Sequence, residues 1–306
     1  MIRTQALRVF VTVAECGNIR DAAATLGRTV SAISMTLKQL EEHLGAPLFE
    51  TDRKHTLTAL GQEVRKLAQD MLRAHDHTTE RIAAIAAGRE GSLRIAAVPS
   101  VAAQLLPPLL TAMLSESGRI RIELLDTDSA TVHRLVETGE VELGIGGRPA
   151  PGAGLQFVPL FNDPFRLVCR KDHPLARATA PLRRVDLRGH RLISNKSTAG
   201  LAAFFEDEGQ GASTLSARNV ISLLALVRAG AGATILPALA TRAIGDDLCA
   251  LPLKNPAALR TVGFILRQSS PSPICLVFQD RFLDQLRAAG LAPLPEKDGT
   301  PRSAGA

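Results

Sequence analysis

The residues best placed to do chemistry in this 306-residue chain lie between Leu26 and Gly45, and that chemistry is recognition rather than bond-making. Ile33, Leu37, Leu40 and Leu44 recur at steps of four, three and four, which is one apolar stripe of a helix. The opposite face carries Ser31, Ser34, Met35 and Lys38, preceded by Arg28 and Thr29. Most of these side chains are short or cationic and can press against a charged polymer. A buried stripe behind a small-polar, basic face is the layout of a helix lying in a DNA major groove. An ordinary amphipathic helix with a solvated face shares the stripe, so the neighbouring residues must decide.

Bond-making constellations fail on inspection. Gly230-x-Gly232 lacks a third glycine and lies after a predicted helix and before a predicted strand, the reverse of a dinucleotide site. His173 and His190 have no nucleophile motif such as G-x-S-x-G beside them. His75 and His77, two apart on a predicted helix, point to different faces, which argues against a metal. His133 is expected on a solvated helix face. No catalytic residue, cofactor or metal is therefore expected.

The chain is long enough for two domains, with 45 % hydrophobic and 22 % charged residues and neither Tyr nor Trp. Aromatic platforms for stacking single-stranded nucleic acid are accordingly scarce. Cys16, Cys169, Cys249 and Cys275 are far apart and each sits in an apolar segment, so four buried free thiols in a reducing compartment are expected. Arg8 and Glu15 interrupt the first apolar run, which argues against a signal peptide, and no apolar run nears the ~20 residues that span a bilayer. A cytoplasmic protein without membrane contact is expected. The net charge is +6, but residues 1–58 hold seven Lys/Arg against six Asp/Glu, so overall charge is weak evidence for nucleic acid and individual positions must carry it.

Three elements must position the outer face. A first helix is expected over 4–16, with Gly17 ending it and Asn18 capping a short second helix, Ile19 to Leu26, whose Ala22 and Ala23 allow a close crossing. Gly27-Arg28-Thr29 is the turn, which makes Asn18–Leu37 a helix-turn-helix. After Pro47-Leu48-Phe49, residues 50–58 read as a hairpin wing with Arg53 and Lys54 at its tip, placed for phosphate or minor-groove contact.

Residues 1–60 resemble the LysR-type transcriptional regulators. The resemblance rests on Ala22-Ala23, Leu26, Ser31-Ala32-Ile33-Ser34, Leu40 to Gly45, Pro47-Leu48-Phe49 and Leu57 to Gly61. It implies a DNA-facing role for Thr29, Ser31, Ser34 and Lys38, and for Arg53 in the wing. Val30 stands where the family often has Gln, and Met35 where it often has Arg. The family's contacts do not carry over at those two positions, and base readout there is expected to use van der Waals contact with thymine methyls.

Residues 59–87 read as one long helix of ~43 Å with a heptad-like stripe of Leu60, Val64, Leu67, Met71, Ala74, Thr78, Ile82 and Ile85. The resemblance implies a linker helix that pairs two subunits, with dimers associating into a homotetramer. Gly88 to Ser92 breaks it. From Leu93 strands alternate with helices, which implies an α/β sheet with parallel strands. A helix is expected from Val101 to about Leu114, another after Thr127-Asp128-Ser129, and strands at 93–98, 119–125 and 141–145. Beyond Phe161, strands are expected at 165–170, 191–193, 233–236 and 260–267, and helices around Phe204-Phe205, at 220–229 and at 275–288.

Residues 141–146, 160–165, 172–176 and 229–232 resemble the family's effector-binding domain, built like the periplasmic binding proteins. The expected architecture is therefore α/β with an all-α N-terminal part. It comprises a winged helix-turn-helix (1–58), a linker helix (59–88) and a two-lobed effector domain (89–295). The lobes are expected at about 93–161 plus 268–295, and at 162–267, followed by a disordered tail (296–306). Ser100 and Ser197-Thr198 start helices and form a candidate anion site between the lobes, with Thr127, Gly147 and Asn195 as further candidates. The expected function is a regulator that binds double-stranded DNA and answers to a small-molecule, anionic effector. The alternative is a cytoplasmic solute-binding protein or enzyme with a helical N-terminal appendage.

Overall fold

The structure, a computed structural model, describes residues 1–50, 56–116, 119–195, 215–254, 258–291 and 294. The chain divides into two compact units, Met1–Ala84 and Ile85–Ala306.

In the first unit, α1 (Thr4–Cys16), α2 (Ile19–Thr25) and α3 (Val30–Leu44) pack around Leu7, Phe10, Val13, Ala22, Ala23, Ile33, Leu37 and Leu40. The boundaries follow from local chemistry. The Asn18 side chain accepts from the Asp21 N–H at 2.8 Å and caps α2. Gly27 at φ +60° occupies the left-handed region, and the next amide, Arg28, donates back to the Ala23 carbonyl at 2.9 Å. Thr29 then caps α3, its hydroxyl accepting from the Ala32 N–H. Stems of the expected wing are present: Phe49 and Leu57 form an antiparallel bridge, and Glu50 N–H donates to the Thr56 carbonyl at 2.9 Å. The tip with Arg53 and Lys54 lies outside the described residues.

α4 (Ala59–Ala86) is one 28-residue helix, close to the expected span. Thr58 accepts from the Gly61 N–H at its start. A Cβ on Gly61 would stand 2.1 Å from the Leu48 carbonyl oxygen, so only glycine lets the helix lie against the wing stem. Ala68 and Leu72 enter the helix-turn-helix core. Arg8 on α1 grips Asp76 with both terminal nitrogens, and this hydrogen bonding holds the Asp76 carboxyl below the usual carboxylate range.

Among the described residues, the second unit carries nine strands in the order β2-β1-β3-β9-β4-β7-β5-β6, with β8 paired to β4. β1 (Gly91–Ala97) lies parallel to β2 (Ile120–Asp126) and β3 (Leu143–Gly147). β9 (Leu259–Arg267) joins β3 antiparallel, and β4 (Leu155–Arg170) joins β9 antiparallel. Beyond residue 164, β4 pairs antiparallel with β7 (Ala233–Pro237) and β8 (Leu248–Pro252). β5 (Leu192–Asn195) lies parallel to β7 and to β6 (Ser216–Ala217). Helices α5 (Pro99–Gln104), α6 (Leu106–Glu116), α7 (Ser129–Glu137), α8 (Val220–Arg228) and α9 (Pro273–Ala288) cover the faces. Phe264, Phe278 and Phe282 anchor the first lobe's core, and Phe165, Leu167 and Ile235 belong to the second lobe's.

The expected parallel sheet is corrected to a mixed one, because β4 and β9 cross between the lobes and run against their neighbours. The strand expected at 165–170 is the second half of the 16-residue β4. The crossing strand expected at 260–267 is β9, and its Val262–Ile265 stretch already pairs with β3 of the first lobe. The helix expected over 101–114 is two helices. Pro107 and Pro108 in the first turn of α6 have no N–H to give the Ala103 and Gln104 carbonyls four residues back, so the helix breaks there, and the Leu105 carbonyl at the junction accepts from the Gln285 amide. Four buried thiols were expected, yet only Cys169 and Cys275 are buried, and Cys16 and Cys249 are half-buried. His133 is half-buried rather than solvated, with Nε2 2.8 Å from the Gly147 carbonyl oxygen. The helix around Phe204-Phe205 and the tail 296–306 lie outside the described residues.

Candidate nucleic-acid interface and ligand cavity

α3 turns its sequence pattern into two faces. Ile33 and Leu37 are buried, whereas Thr29, Ser31, Ser34, Met35 and Lys38 are all exposed. Met35 is 61 % and Val30 48 % exposed, two large apolar side chains left in solvent on the outer face. The Thr29 hydroxyl has two duties: it caps the helix and lies 3.1 Å from the Ser31 hydroxyl. Lys38 approaches Glu42 at 3.7 Å, one turn on, a weak exposed pair that leaves the ammonium free to take a stronger anion. The arrangement offers hydroxyl donors and acceptors, one cation and two apolar contacts on one convex helix face.

Glu41, quoted in the family pattern but given no role from sequence, positions the wing. Its Oε1 accepts from the N–H of Leu48 at 2.7 Å and of Phe49 at 3.4 Å, which ties the end of α3 to the hairpin stem. The spacing of seven and eight residues across the Gly45-Ala46-Pro47 turn hides that link from helical periodicity.

On α4 the stripe expected to meet a partner is left uncovered. Leu60, Leu67, Met71, Ile82 and Ile85 are exposed, Leu67 by 70 %. Val64 is the exception, packing partly against the core beside Ala68 and Leu72.

In the second unit, a cavity of about 300 Å³ lies between the lobes. Three helix starts contribute to its wall: Pro99 and Ser100 of α5, Asp128 and Ser129 of α7, and Val220 of α8. Gly147 and Asn195 line it. Thr127 does not; its amide completes the β1 ladder by donating to the Ala97 carbonyl, and the wall is made by the next two residues. Ser197 and Thr198 lie outside the described residues.

Sequence reasoning missed the centre of this cavity. Arg260 on β9 is 15 % exposed in its side chain and donates from Nε at 3.2 Å and Nη2 at 2.7 Å to Oδ2 of Asp163, which is 4 % exposed. Nη2 also donates to the Ser100 hydroxyl at 2.5 Å, and Asp163 Oδ1 accepts from the Leu239 N–H at 3.0 Å. Burial pushes the Arg260 guanidinium below its usual pKa, and the charge and hydrogen bonds of Asp163 oppose that shift. Ser100, held as an acceptor, keeps its own proton to donate. Arg148, at the cavity's edge, stacks over the Phe157 ring at 4.5 Å. The signal in the sequence was a single arginine leading the otherwise apolar run Thr261 to Leu266.

Among the described residues, no cluster of three metal-ligating side chains occurs and no helix is long and apolar enough to cross a membrane.

Residues 4–62 match the family model of the bacterial regulatory helix-turn-helix protein, lysR family, and residues 86–287 match that of the LysR substrate binding domain. The chain is 29 % identical over 271 residues to the uncharacterized HTH-type transcriptional regulator YbhD of Escherichia coli, covering 86 % of this chain and 85 % of that one. It is 30 % identical over 241 residues to the uncharacterized HTH-type transcriptional regulator YfeR of Shigella flexneri, covering 76 % and 78 %. Among solved structures, full-length CbnR complexed with its target DNA matches with a TM-score of 0.71 at 23 % identity, over 93 % of this chain and 99 % of that one.

Proposed function

Because this chain belongs to the LysR family of DNA-binding transcriptional regulators, we propose that its α3 enters a major groove through Thr29, Ser31, Ser34, Met35 and Lys38. Family membership makes the protein a regulator of transcription rather than an enzyme, and its substrate-binding domain implies a small-molecule effector. The rest is our assignment of parts. Residues 1–58 read DNA, with Arg53 and Lys54 of the wing at the backbone. Residues 59–88 pair subunits through the Leu67–Met71–Ile82 stripe, and two dimers join as a tetramer. Residues 89–295 hold the effector.

The observation that carries the DNA assignment is the exposed outer face of α3, which keeps two large apolar side chains in solvent behind a fully packed inner face. The effector assigned to the cavity is a small anion, a carboxylate above all. The positive ends of α7 and α8 begin at its wall, and Ser100 and Arg260 supply a hydroxyl proton and a fixed cation. Such a ligand shifts DNA binding only by preferring one arrangement of subunits over another.

The test is fluorescence anisotropy of the full chain on the duplex upstream of its own gene, with excess unrelated competitor DNA, at rising salt. Binding that survives the competitor is expected. Lys38→Ala is expected to weaken it about tenfold and to flatten the log–log salt slope by about 0.9, the share of one phosphate contact. An unchanged slope removes Lys38 from the interface, and loss of all binding to competitor removes the sequence-specific assignment.

A further inference from the structure

β4 and β8 bring two cysteines face to face. Cys169 and Cys249 are registered partners across this antiparallel pair, and their sulfurs lie 3.5 Å apart although 80 positions separate them in the chain. Opposed residues in such a ladder have Cα atoms about 4.5–5.5 Å apart, inside the ~4.4–6.8 Å window that a disulfide spans. Closing the bond needs the two sulfurs to move together by side-chain rotation, with the backbone already in place. The other two thiols have other neighbours: Cys16 approaches the Thr25 hydroxyl, and Cys275 accepts from the Gln279 amide.

The two partners differ in access. Cys169 is fully buried among Phe165, Leu167, Leu175 and Ile235, and burial pushes its thiol up to about 12. Cys249 is half-buried on β8, which pairs with β4 alone among the described strands. A small oxidant therefore meets Cys249 first, and Cys169 waits behind it in contact.

We propose that Cys169 and Cys249 form a reversible intramolecular disulfide when the protein meets a peroxide. The Cys249 sulfur attacks the peroxide, the O–O bond breaks, and Cys249 becomes a sulfenic acid while the peroxide leaves as water or an alcohol. The Cys169 sulfur then attacks the Cys249 sulfur, an S–S bond forms, the S–O bond breaks, and the hydroxyl leaves as water with the Cys169 proton. Two electrons pass from the two thiols to one peroxide. The bond staples the edge strand β8 to the crossing strand β4, and thiol reductants reverse it.

The experiment treats the reduced full chain with hydrogen peroxide, blocks remaining thiols by alkylation, and counts them in denaturant before and after. The expected count falls from four to two, a non-reducing digest yields one peptide pair joining 169 to 249, and dithiothreitol restores four. Cys169→Ser is expected to stop at a sulfenic acid on Cys249 that dimedone traps, and Cys249→Ser to leave Cys169 unoxidised. Circular dichroism of each variant confirms that it is folded. Four thiols after treatment, a bridge to Cys16 or Cys275, or a bond between chains overturns the proposal.

Discussion

Arg260→Met is expected to cost the second unit about 3–5 kcal/mol, measured as a fall in the urea midpoint of the full chain, and to abolish effector binding. Methionine fills much of the volume of the arginine stem, so lost packing is a minor part of the cost. The larger part is Asp163, 4 % exposed, which loses its counter-ion and both guanidinium hydrogen bonds and retains the Leu239 N–H as a donor. A buried charge stranded in this way is costlier than the pair was valuable. The double variant Arg260→Met, Asp163→Asn removes both charges and retains an acceptor for Leu239. It is expected to recover at least half of the lost stability while still failing to bind effector. That separation matters, since it distinguishes a residue that the fold needs from one that a ligand needs. A double variant no more stable than the single one would place the cost elsewhere, in the packing of α5 on β9.

Ser34→Glu is the second large effect. Ser34 is exposed on α3 and makes no hydrogen bond to another described side chain, and glutamate is a good helix former, so stability should change by no more than about 0.5 kcal/mol. Against a major groove, a carboxylate at the centre of the outer face meets phosphates on both sides. Like charge brought into such an interface costs several kcal/mol; about 3 kcal/mol corresponds to a loss of roughly 150-fold in affinity. The readout is anisotropy on the upstream duplex beside an unchanged melting temperature. Wild-type affinity in a folded Ser34→Glu protein would take that face off the DNA.

The first 60 residues were legible almost to the residue because their boundaries are set locally. Gly17, Asn18, Gly27, Thr29 and Gly45 each stop or cap a helix through contacts within a few positions of themselves, and the apolar steps of α1 and α3 fix the buried faces. The effector domain was legible in composition but not in direction. Alternating apolar residues mark a strand without saying which way its neighbour runs, so the crossing strand at 260–267 was legible but its antiparallel pairing with β3 and β4 was not. Pro159 and Pro164 hid the length of β4, since proline inside a strand reads as a break. Here the register shift between Pro159 and Phe161 takes up the first, and the second falls where β4 leaves β9 for β7 and β8.

The pieces most dependent on long-range folding were the ones missed. Arg260 and Asp163 are 97 positions apart and Cys169 and Cys249 are 80, so no local pattern links either pair. Ser100, Gly147 and Asn195 were reachable because strand ends and helix starts converge in this kind of sheet. Thr127 donates to the Ala97 carbonyl at the end of the β1 ladder, and the cavity wall begins with the next residue, Asp128.

The most direct measurement is photo-cross-linking from position 35, where benzoylphenylalanine replaces the exposed Met35 in the full chain bound to its upstream duplex. The account predicts covalent attachment to DNA, mapped to bases whose major-groove edges line one half-site. Attachment only to protein, from complexes that bind the duplex with wild-type affinity, would show that the outer face of α3 does not lie in the groove.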